Sequence, residues 1–408
     1  MKKWFSLILA LALSCMMLTA GAEIALEDGV YAGEGSGFNL TVKVPVEVEI
    51  KDGKMVNITV GENGETMGMI AAAKDLYIPR VIESQSLSVD AITGATLSSV
   101  GVRTGIVDAL TKAGADVNAL YVPIAKSDAQ ETYDVDVVVV GMGSSGTTAA
   151  LAAAEAGVSV MAIDKAGKWG GTGVTTSGPC NVNPPSQVNA EIVDWKDPIN
   201  GVRTKTVGEN LVDAEALYTE WVNYTTVDGV QGAKPEIIRK VIDESGLTCD
   251  WLQDYGFQFG PAVGFVGGKW AIFSSYVGNK QLTESFFASA YDRYVEMGGQ
   301  YMLETEAYEL IMDGNRAVGV KALKDDGTQV TINAKAVILC TGGFAGSNEL
   351  METYYGEAYK LYGMYTNDGK MLKAAIDNGA ATRAMGMYPM MRFLRMVSEI
   401  SRISSADR

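Results

Sequence analysis

The chain has 408 residues, of which 47% are hydrophobic and 20% are charged, and this composition is typical of globular proteins with two or three domains. Its net charge of −16 leaves no face basic enough to neutralise a nucleic-acid backbone, so we set DNA and RNA aside as partners. Because the chain lacks histidine and its four cysteines form no CxxC pair, we expect no zinc site, metal cluster or attached haem.

The first 22 residues are typical of a secretory signal peptide. Residues 1–3 include two lysines, residues 4–18 are apolar, and residues 20–22 supply the small side chains that a signal peptidase accepts. The apolar run is short for a membrane span, so we favour a cleaved signal over an uncleaved anchor. Lipidation at Cys15 is a weaker alternative, because residues 12–14 are a poor lipidation signal. We therefore expect an exported, extracytoplasmic protein, in a periplasm or on the outer face of a membrane.

Alternating apolar and polar residues between positions 28 and 60 predict an antiparallel meander. Segments 40–44 and 46–50 have the pattern of strands, Asp52 and Gly53 predict a turn, and residues 55–60 predict another strand. A mixed segment follows, and then a turn rich in glycine, threonine and serine at 90–99 and an amphipathic helix over 100–113. We expect one small α+β domain at 26–114, followed by a polar linker at 115–132.

The turn before this helix has the sequence Asp-Ala-Ile-Thr-Gly-Ala-Thr, which ends at Thr96. It resembles the flavinylation motif of FMN-binding domains, and matching pieces at 28–31, 52–54, 78–79 and 82–83 extend the resemblance over 26–114. The resemblance implies that a flavin transferase joins FMN covalently, through its phosphate, to the hydroxyl of Thr96, which must then be exposed. The alternative is a plain turn that caps the helix, with Ser98 or Ser99 as N-cap, and the two interpretations are compatible.

A β-α-β unit opens the second domain, which we place at 133–390. The β-branched run at 135–140 predicts a strand buried on both faces, and an alanine-rich helix at 147–156 and a strand at 159–163 follow it. The intervening GxGxxG motif gives Gly141 for a tight turn, Gly143 for close approach of a pyrophosphate, and Gly146 for close helix packing. Asp164, after the second strand, would accept hydrogen bonds from a ribose. The pattern predicts an α/β Rossmann-like dinucleotide site, which NAD and FAD share.

Later motifs favour FAD. Gly170-Gly171-Thr172-Gly173 follows the second strand, a strand at 335–339 ends in Cys340-Thr341-Gly342-Gly343-Phe344, and Asn367-Asp368-Gly369 leads into a helix. Together with GxGxxG, these motifs resemble the FAD-binding domain of the fumarate reductase and succinate dehydrogenase flavoprotein family over about 134–390. Two residues depart from the family pattern, because position 164 is aspartate where glutamate is commoner and Asn367 replaces a glycine.

The resemblance implies a role for each matching residue. The adenosine diphosphate half of FAD would be held by Gly141, Gly143, Gly146 and Asp164. The ribityl chain and the isoalloxazine would lie along Gly170, Gly171, Thr172, Ser177 and Gly178. The pyrophosphate side would be closed by Thr341, Gly342 and Gly343, and the ribityl region would be faced by Asp368.

In that family, N5 of FAD exchanges a hydride with an activated carbon–carbon bond. An exported member with an FMN domain and no haem motif looks like the reductases for α,β-unsaturated carboxylates such as fumarate, urocanate or acrylate. The resemblance therefore implies an FAD- and FMN-dependent oxidoreductase acting on CH–CH groups. Electrons would pass from a membrane or extracytoplasmic donor through FMN to FAD and on to a small unsaturated carboxylate.

The catalytic residues of that family are not recognisable in this sequence. No histidine-proline-threonine stretch follows the motif at 367–369, and residues 391–408 form a divergent tail. Arg392, Arg395 and Arg402 fit a solvated helix face better than a catalytic set. We expect a truncated or frameshifted FAD domain, incomplete at its C-terminal end, that does not reduce unsaturated acids at an enzyme-like rate. A flavin electron carrier and a catalytically incomplete fragment are therefore the alternative functions.

Overall fold

The computed structural model describes residues 26–264, 268–278, 280–356, 366–383 and 385. The chain divides into two compact units, Met1–Ala125 and Lys126–Arg408, which are described separately below. The predicted signal peptide at 1–22 and the predicted divergent tail at 391–408 lie outside the described residues. Within the described ranges, no helix combines the length and the apolar character that a membrane span requires.

The first unit is a three-stranded antiparallel sheet with helices packed against it. Its elements are β1 (Gly29–Gly35), β2 (Val44–Lys51), β3 (Lys54–Val60), α1 (Met67–Ala72), a π-helical turn (Ala73–Tyr77), α2 (Ile78–Ser84), α3 (Thr96–Lys112) and a 3-10 turn (Val117–Leu120). The β2–β3 hairpin turns at Asp52 and Gly53, whose φ angles of 53° and 72° suit the twist of a tight hairpin. The predicted α+β meander is confirmed.

Glycines let α3 lie close to the sheet. A Cβ on Gly33 would lie 2.2 Å from the carbonyl oxygen of Gly105, and a Cβ on Gly35 would lie 1.8 Å from that of Gly101. Larger side chains at these positions would therefore push the helix away from β1. Val46 occupies a buried position of β2, where alternate residues face the core, and packs in the same apolar cluster as the helix.

The strand predicted at 40–44 begins later in the structure than predicted. Residues 40–42 form bends, and β2 begins only at Val44. The side-chain oxygen of Asn39 accepts hydrogen bonds from the N–H groups of Thr41 and Val42, each at 2.9 Å. Because such a local turn competes with strand pairing, the alternation around Leu40 forms an exposed loop.

The second unit is built on a mixed sheet flanked by helices. Its elements are β4 (Gln130–Val140), α4 (Ser144–Glu155), β5 (Val160–Ile163), a 3-10 turn (Gly171–Thr175), α5 (Pro185–Val188), β6 (Ile192–Asp197), β7 (Gly201–Lys205), α6 (Ala214–Tyr224), β8 (Thr226–Val227), β9 (Val230–Gln231), α7 (Pro235–Gln253), α8 (Lys280–Glu296), β10 (Gln300–Met302), β11 (Thr305–Asp313), β12 (Arg316–Lys324), β13 (Gln329–Leu339), α9 (Asn348–Tyr355) and α10 (Lys370–Asp377). The sheet order is β10–β5–β4–β13–β12–β11. The first four strands are mutually parallel, and β12 and β11 are antiparallel to their neighbours.

Both faces of the central strand are covered. Val139 of β4 belongs to an apolar cluster that includes residues of α4 and α8. Val138 and Val140, on the other face, belong to a second cluster with residues of β11, β12 and α10. This double burial explains the continuous β-branched run. Because β10, β5, β4 and β13 are parallel, their carboxyl ends lie at one edge of the sheet. The predicted α/β Rossmann-like class is confirmed.

The boundary between the units falls inside the segment predicted as a linker, 115–132. Leu120 is 4% exposed in the core of the first unit, and its carbonyl accepts a hydrogen bond from the N–H of Leu87 at 2.9 Å. In the second unit, Gln130 pairs with Gln329 as β4 and β13 begin. The stretch is therefore divided between the two folded units.

Candidate functional site

Two glycines shape the loop between β4 and α4 through contacts within the protein. Gly141 has a φ of 97°, and a Cβ at this position would lie 2.4 Å from the carbonyl oxygen of Cys340. A Cβ on Gly146, in the first turn of α4, would lie 1.7 Å from the carbonyl oxygen of Gly141. The packing of strand end, loop and helix therefore requires both glycines, whatever the loop binds.

Gly143 has no such internal requirement. Its φ and ψ of −75° and −166° are open to any residue, and an added Cβ would meet no protein atom closer than 3.9 Å. The residue directly precedes α4, whose first N–H groups lack partners within the helix and favour an anion. The space left at Gly143 therefore fits a phosphate that approaches the backbone. For this reason the loop suits a dinucleotide.

A second glycine segment lies beside the loop. Gly143 and Gly170 form a parallel bridge, and the N–H of Gly170 donates to the carbonyl of Met142 at 2.7 Å. Gly170 has a φ of 97°, and the 3-10 turn that follows begins at Gly171. Two segments that are about 30 residues apart in the sequence therefore present bare backbone to the same space.

Asp164 follows β5 and lies next to the loop. Its Oδ2 accepts a hydrogen bond from the N–H of Met142 at 2.6 Å, and its Oδ1 accepts one from the N–H of Ala166 at 2.8 Å. Burial raises the pKa of Asp164, and these two hydrogen bonds and nearby Lys165 oppose that shift. In this structure the carboxylate fixes the backbone of the glycine loop, and the ribose contact assigned to it stays a prediction.

These segments enclose a cavity of about 450 Å³ at the carboxyl ends of β4, β5 and β13. The predicted site residues that line it are Gly141, Gly143, Asp164, Gly171, Thr172, Thr341, Gly342 and Asp368. They come from five separate segments of the chain, and this is the edge where doubly wound sheets bind their ligands.

The remaining predicted residues lie outside the lining of this cavity. Gly146 and Gly170 support the glycine loop, as described above, and Gly343 follows the lining residue Gly342. Ser177 and Gly178 contact the segment at 274–276: the carbonyl of Ser177 accepts from the N–H of Tyr276, and a Cβ on Gly178 would lie 1.9 Å from Ser274 O. They are not among the residues that line the cavity, and their role along the isoalloxazine stays a prediction.

Three charged residues that the sequence patterns did not indicate also line the cavity: Lys165, Glu306 and Lys370. Lys165 Nζ lies 2.6 Å from Asp368 Oδ2. Burial alone would raise the pKa of Asp368, but hydrogen bonds from Lys165 and from the N–H of Lys370 hold it below its ordinary value. Because the bonded residues Lys165 and Asp368 are 203 positions apart, no local motif could have indicated this contact.

In the first unit, Thr96 is exposed and is the first residue of α3. The helix thus begins four residues before the predicted start. Ser98 and Ser99 are buried in its first turn, so the prediction that either serine is the N-cap was wrong. Ser98 Oγ donates to Glu65 Oε2 at 2.6 Å, and Ser99 Oγ accepts from the N–H of Ile92 at 3.2 Å.

The carboxylate of Glu65 joins the loop before β2 to the start of α3. Besides Ser98, it accepts a hydrogen bond from the N–H of Phe38 at 3.1 Å. Segments that meet at this carboxylate expose large apolar side chains, with exposed fractions of 58% for Phe38, 56% for Met67 and 52% for Leu97. A hydroxyl at an accessible helix N-terminus with apolar neighbours suits a phosphate-linked aromatic ring.

Across the part of the chain that the structure describes, no group of three or more cysteine, aspartate or glutamate side chains is arranged to hold a metal ion. Cys180, Cys249 and Cys340 are free thiols.

Comparison with known proteins gives two family matches. A model described as an FAD binding domain matches residues 136–393, and a model described as an FMN-binding domain matches residues 37–111. Both resemblances identified in the sequence are thereby confirmed, and the chain has an FMN-binding domain followed by an FAD-binding domain.

Three curated relatives each match between 67% and 82% of this chain. NADH:acrylate oxidoreductase of Vibrio harveyi is 27% identical over 81% of this chain and 37% of its own length. Urocanate reductase of Eggerthella lenta is 28% identical over 82% of this chain and 52% of its own length. NADH:fumarate oxidoreductase of Klebsiella pneumoniae is 25% identical over 67% of this chain and 27% of its own length. The chain thus spans about half the length of these relatives, or less.

Proposed function

The chain belongs to the FAD binding domain family, and from this premise we propose that it is an exported two-flavin oxidoreductase. In this proposal, electrons pass from an extracytoplasmic or membrane donor through a covalent FMN on Thr96 to FAD, and reduce an α,β-unsaturated carboxylate. Acrylate, urocanate and fumarate, the compounds named in its relatives, are all such acids.

The observation that carries the FAD part is the open space at Gly143. The protein itself does not need a glycine there, whereas a pyrophosphate that lies against the start of α4 does. On this basis Gly141 and Gly146 hold the loop in shape, Gly143 admits the pyrophosphate, and Asp164 fixes the loop and accepts ribose hydroxyls. The wall formed by Thr341, Gly342 and Asp368 closes the other side of the cavity.

For FMN, the support is the exposed hydroxyl of Thr96 within a matching domain. Its position at the start of α3 gives a flavin transferase access to the hydroxyl, and the helix N-terminus stabilises the phosphodiester. The apolar side chains of Phe38, Met67 and Leu97 would hold the ring. When bound, the two flavins supply the electron and hydride chemistry, and the protein supplies binding and orientation.

Export is supported by residues 1–22, whose basic start, apolar stretch and small residues have the pattern of a signal peptide.

A flavin electron carrier is the second candidate. It is favoured by one observation, that these 408 residues contain no histidine to deliver a proton to the substrate carbon. A carrier needs only the flavins and no acid or base.

The experiment that separates the two uses the full chain, produced with a flavin transferase and analysed for both flavins. Anaerobic oxidation of a reduced viologen is then followed with acrylate, urocanate and fumarate, and with the saturated acids as controls. Catalytic oxidation with the unsaturated acids but not with the saturated acids supports the reductase, and it contradicts the expectation from the sequence that the chain does not reduce such acids at an enzyme-like rate. Flavin reduction without turnover supports the carrier and contradicts the reductase.

A further inference from the structure

Charged side chains from three segments form an alternating series along one wall of the cavity. Lys165 Nζ, after β5, lies 2.6 Å from Asp368 Oδ2 in the loop before α10 and 3.7 Å from Glu306 Oε1 on β11. The other oxygen of Glu306, Oε2, lies 2.5 Å from Lys370 Nζ. The sequence of charges along the wall is therefore Asp368, Lys165, Glu306, Lys370, with no net charge.

Lys165 is the least exposed member of this series. Its side chain is 21% exposed, against 34% for Glu306, 35% for Asp368 and 42% for Lys370. It is also the only one of the four whose side chain forms ion pairs with both carboxylates. A partly buried, doubly paired lysine contributes more than an isolated surface pair.

Its partner Asp368 controls the position of a loop. Asp368 Oδ1 accepts a hydrogen bond from the N–H of Lys370 at 3.0 Å, at the start of α10, while Oδ2 binds Lys165. In the same loop, the carbonyl of Asn367 accepts from the N–H of Gly346 at 2.8 Å. Lys165 therefore ties the loop before α10 to the end of β5.

We propose that Lys165 is a positioning residue for FAD: it holds Asp368 and the loop at 366–369 in place, and it offsets negative charge on the cavity wall. The inference rests on the proposed binding of FAD in this cavity. The carboxylates of Asp368 and Glu306 would repel a pyrophosphate, and the two lysines paired with them offset that repulsion. If the loop is already ordered before FAD binds, less binding free energy is lost in ordering it, and the affinity is higher.

The test is the affinity of the full-length chain for FAD, measured by quenching of flavin fluorescence. Lys165→Met should weaken binding about tenfold, the effect of losing a partly buried ion pair at a binding site. Lys165→Arg, which keeps the charge and the reach, should recover most of the affinity. Lys373→Met is the matched control, because Lys373 lies on α10 in an exposed pair with Asp377 and should leave the affinity unchanged.

A double substitution shows how Lys165 acts. If Lys165 acts through Asp368, Lys165→Met combined with Asp368→Asn should bind FAD no more weakly than the weaker single variant. Multiplied effects would mean that Lys165 contacts the cofactor independently and would overturn the positioning role. Recovery of full affinity in the neutralised double variant would show that charge alone matters, and it too would overturn that role. Wild-type affinity of Lys165→Met would remove any role, whereas failure of the wild-type chain to bind FAD would refute the proposed function instead.

Discussion

Substitution of glycine by alanine should reduce the stability of the FAD-free chain at position 146, but should reduce the affinity for FAD at position 143. A Cβ on Gly146 would lie 1.7 Å from the carbonyl oxygen of Gly141, so α4 and the glycine loop must move apart. Overpacking costs about 1–3 kcal/mol of unfolding free energy, and a contact this short with backbone belongs at the upper end of that range, so the cost exceeds the gain of about 1 kcal/mol in helix propensity. The melting temperature of the FAD-free chain should fall by about 2–4 °C for each kcal/mol of net loss.

At Gly143 the alanine Cβ meets no protein atom closer than 3.9 Å. The FAD-free chain should therefore lose little stability, about 0.5–1 kcal/mol for the less favourable helix cap. The substitution should instead weaken the binding of FAD. A pyrophosphate displaced by one methyl group loses at least one charged hydrogen bond, worth about 1.5–3 kcal/mol, which corresponds to a Kd about 10–150-fold higher.

Two measurements on each variant separate the effects: thermal unfolding without flavin, and FAD affinity by fluorescence quenching. The reasoning is refuted if Gly143→Ala binds FAD as tightly as wild type, because the open space would then not be the pyrophosphate position. It is equally refuted if Gly143→Ala destabilises the FAD-free chain as much as Gly146→Ala does.

Three further predictions concern single side chains. With a flavin transferase, intact-mass measurement should show one covalent FMN in Thr93→Ala and none in Thr96→Ala; a label that survives the second substitution excludes Thr96. Burial alone would raise the pKa of Asp197, but hydrogen bonds from the segment at 199–200 and from the backbone at 264 lower it to about 2. The ionised carboxylate therefore stabilises the folded chain above about pH 4, and this contribution is lost toward about pH 2. Asp197→Asn should remove about 2 kcal/mol of that pH dependence in acid unfolding curves, and an unchanged slope contradicts the assignment. Lys205 is 4% exposed and donates to three backbone carbonyls. Lys205→Met should therefore lower the free energy of unfolding, measured with denaturant, by about 3 kcal/mol. Lys373→Met, at an exposed position, should leave it almost unchanged.

Features encoded within a few residues were predictable from the sequence. The strand, the glycine loop and the helix of the first β-α-β unit follow from the β-branched run at 135–140 and from GxGxxG, both of which are local. The approach of Cys340 to Gly141 is not local, and only the resemblance to a family indicated it. Strand order in a sheet is a property of the whole chain, so residue periodicity alone does not give it.

The errors have a common physical cause, which is that polar side chains near a turn have several possible partners. Ser98 and Ser99 are favourable helix caps by type, but Ser98 pairs with Glu65 from a distant segment, and the helix extends past both. Asn39 pairs with the backbone two and three residues ahead, and so ends a pattern that otherwise predicts a strand. In the same way, Lys165 has no local signal because its partner lies in another segment.

The two flavin sites should also fail independently. The residues around Thr96 pack in the apolar cluster of the first unit, and the cavity lies among clusters of the second. Thr96→Ala should therefore abolish covalent FMN but retain FAD, and Gly143→Val should release FAD but retain covalent FMN. Acid precipitation separates the two, because only the covalent flavin stays with the precipitated chain. In the first variant, dithionite should still reduce FAD directly, since that step needs no FMN. If either substitution removed both flavins, the units would depend on each other for folding or for loading, and the assignment of one flavin to each unit would have to be abandoned.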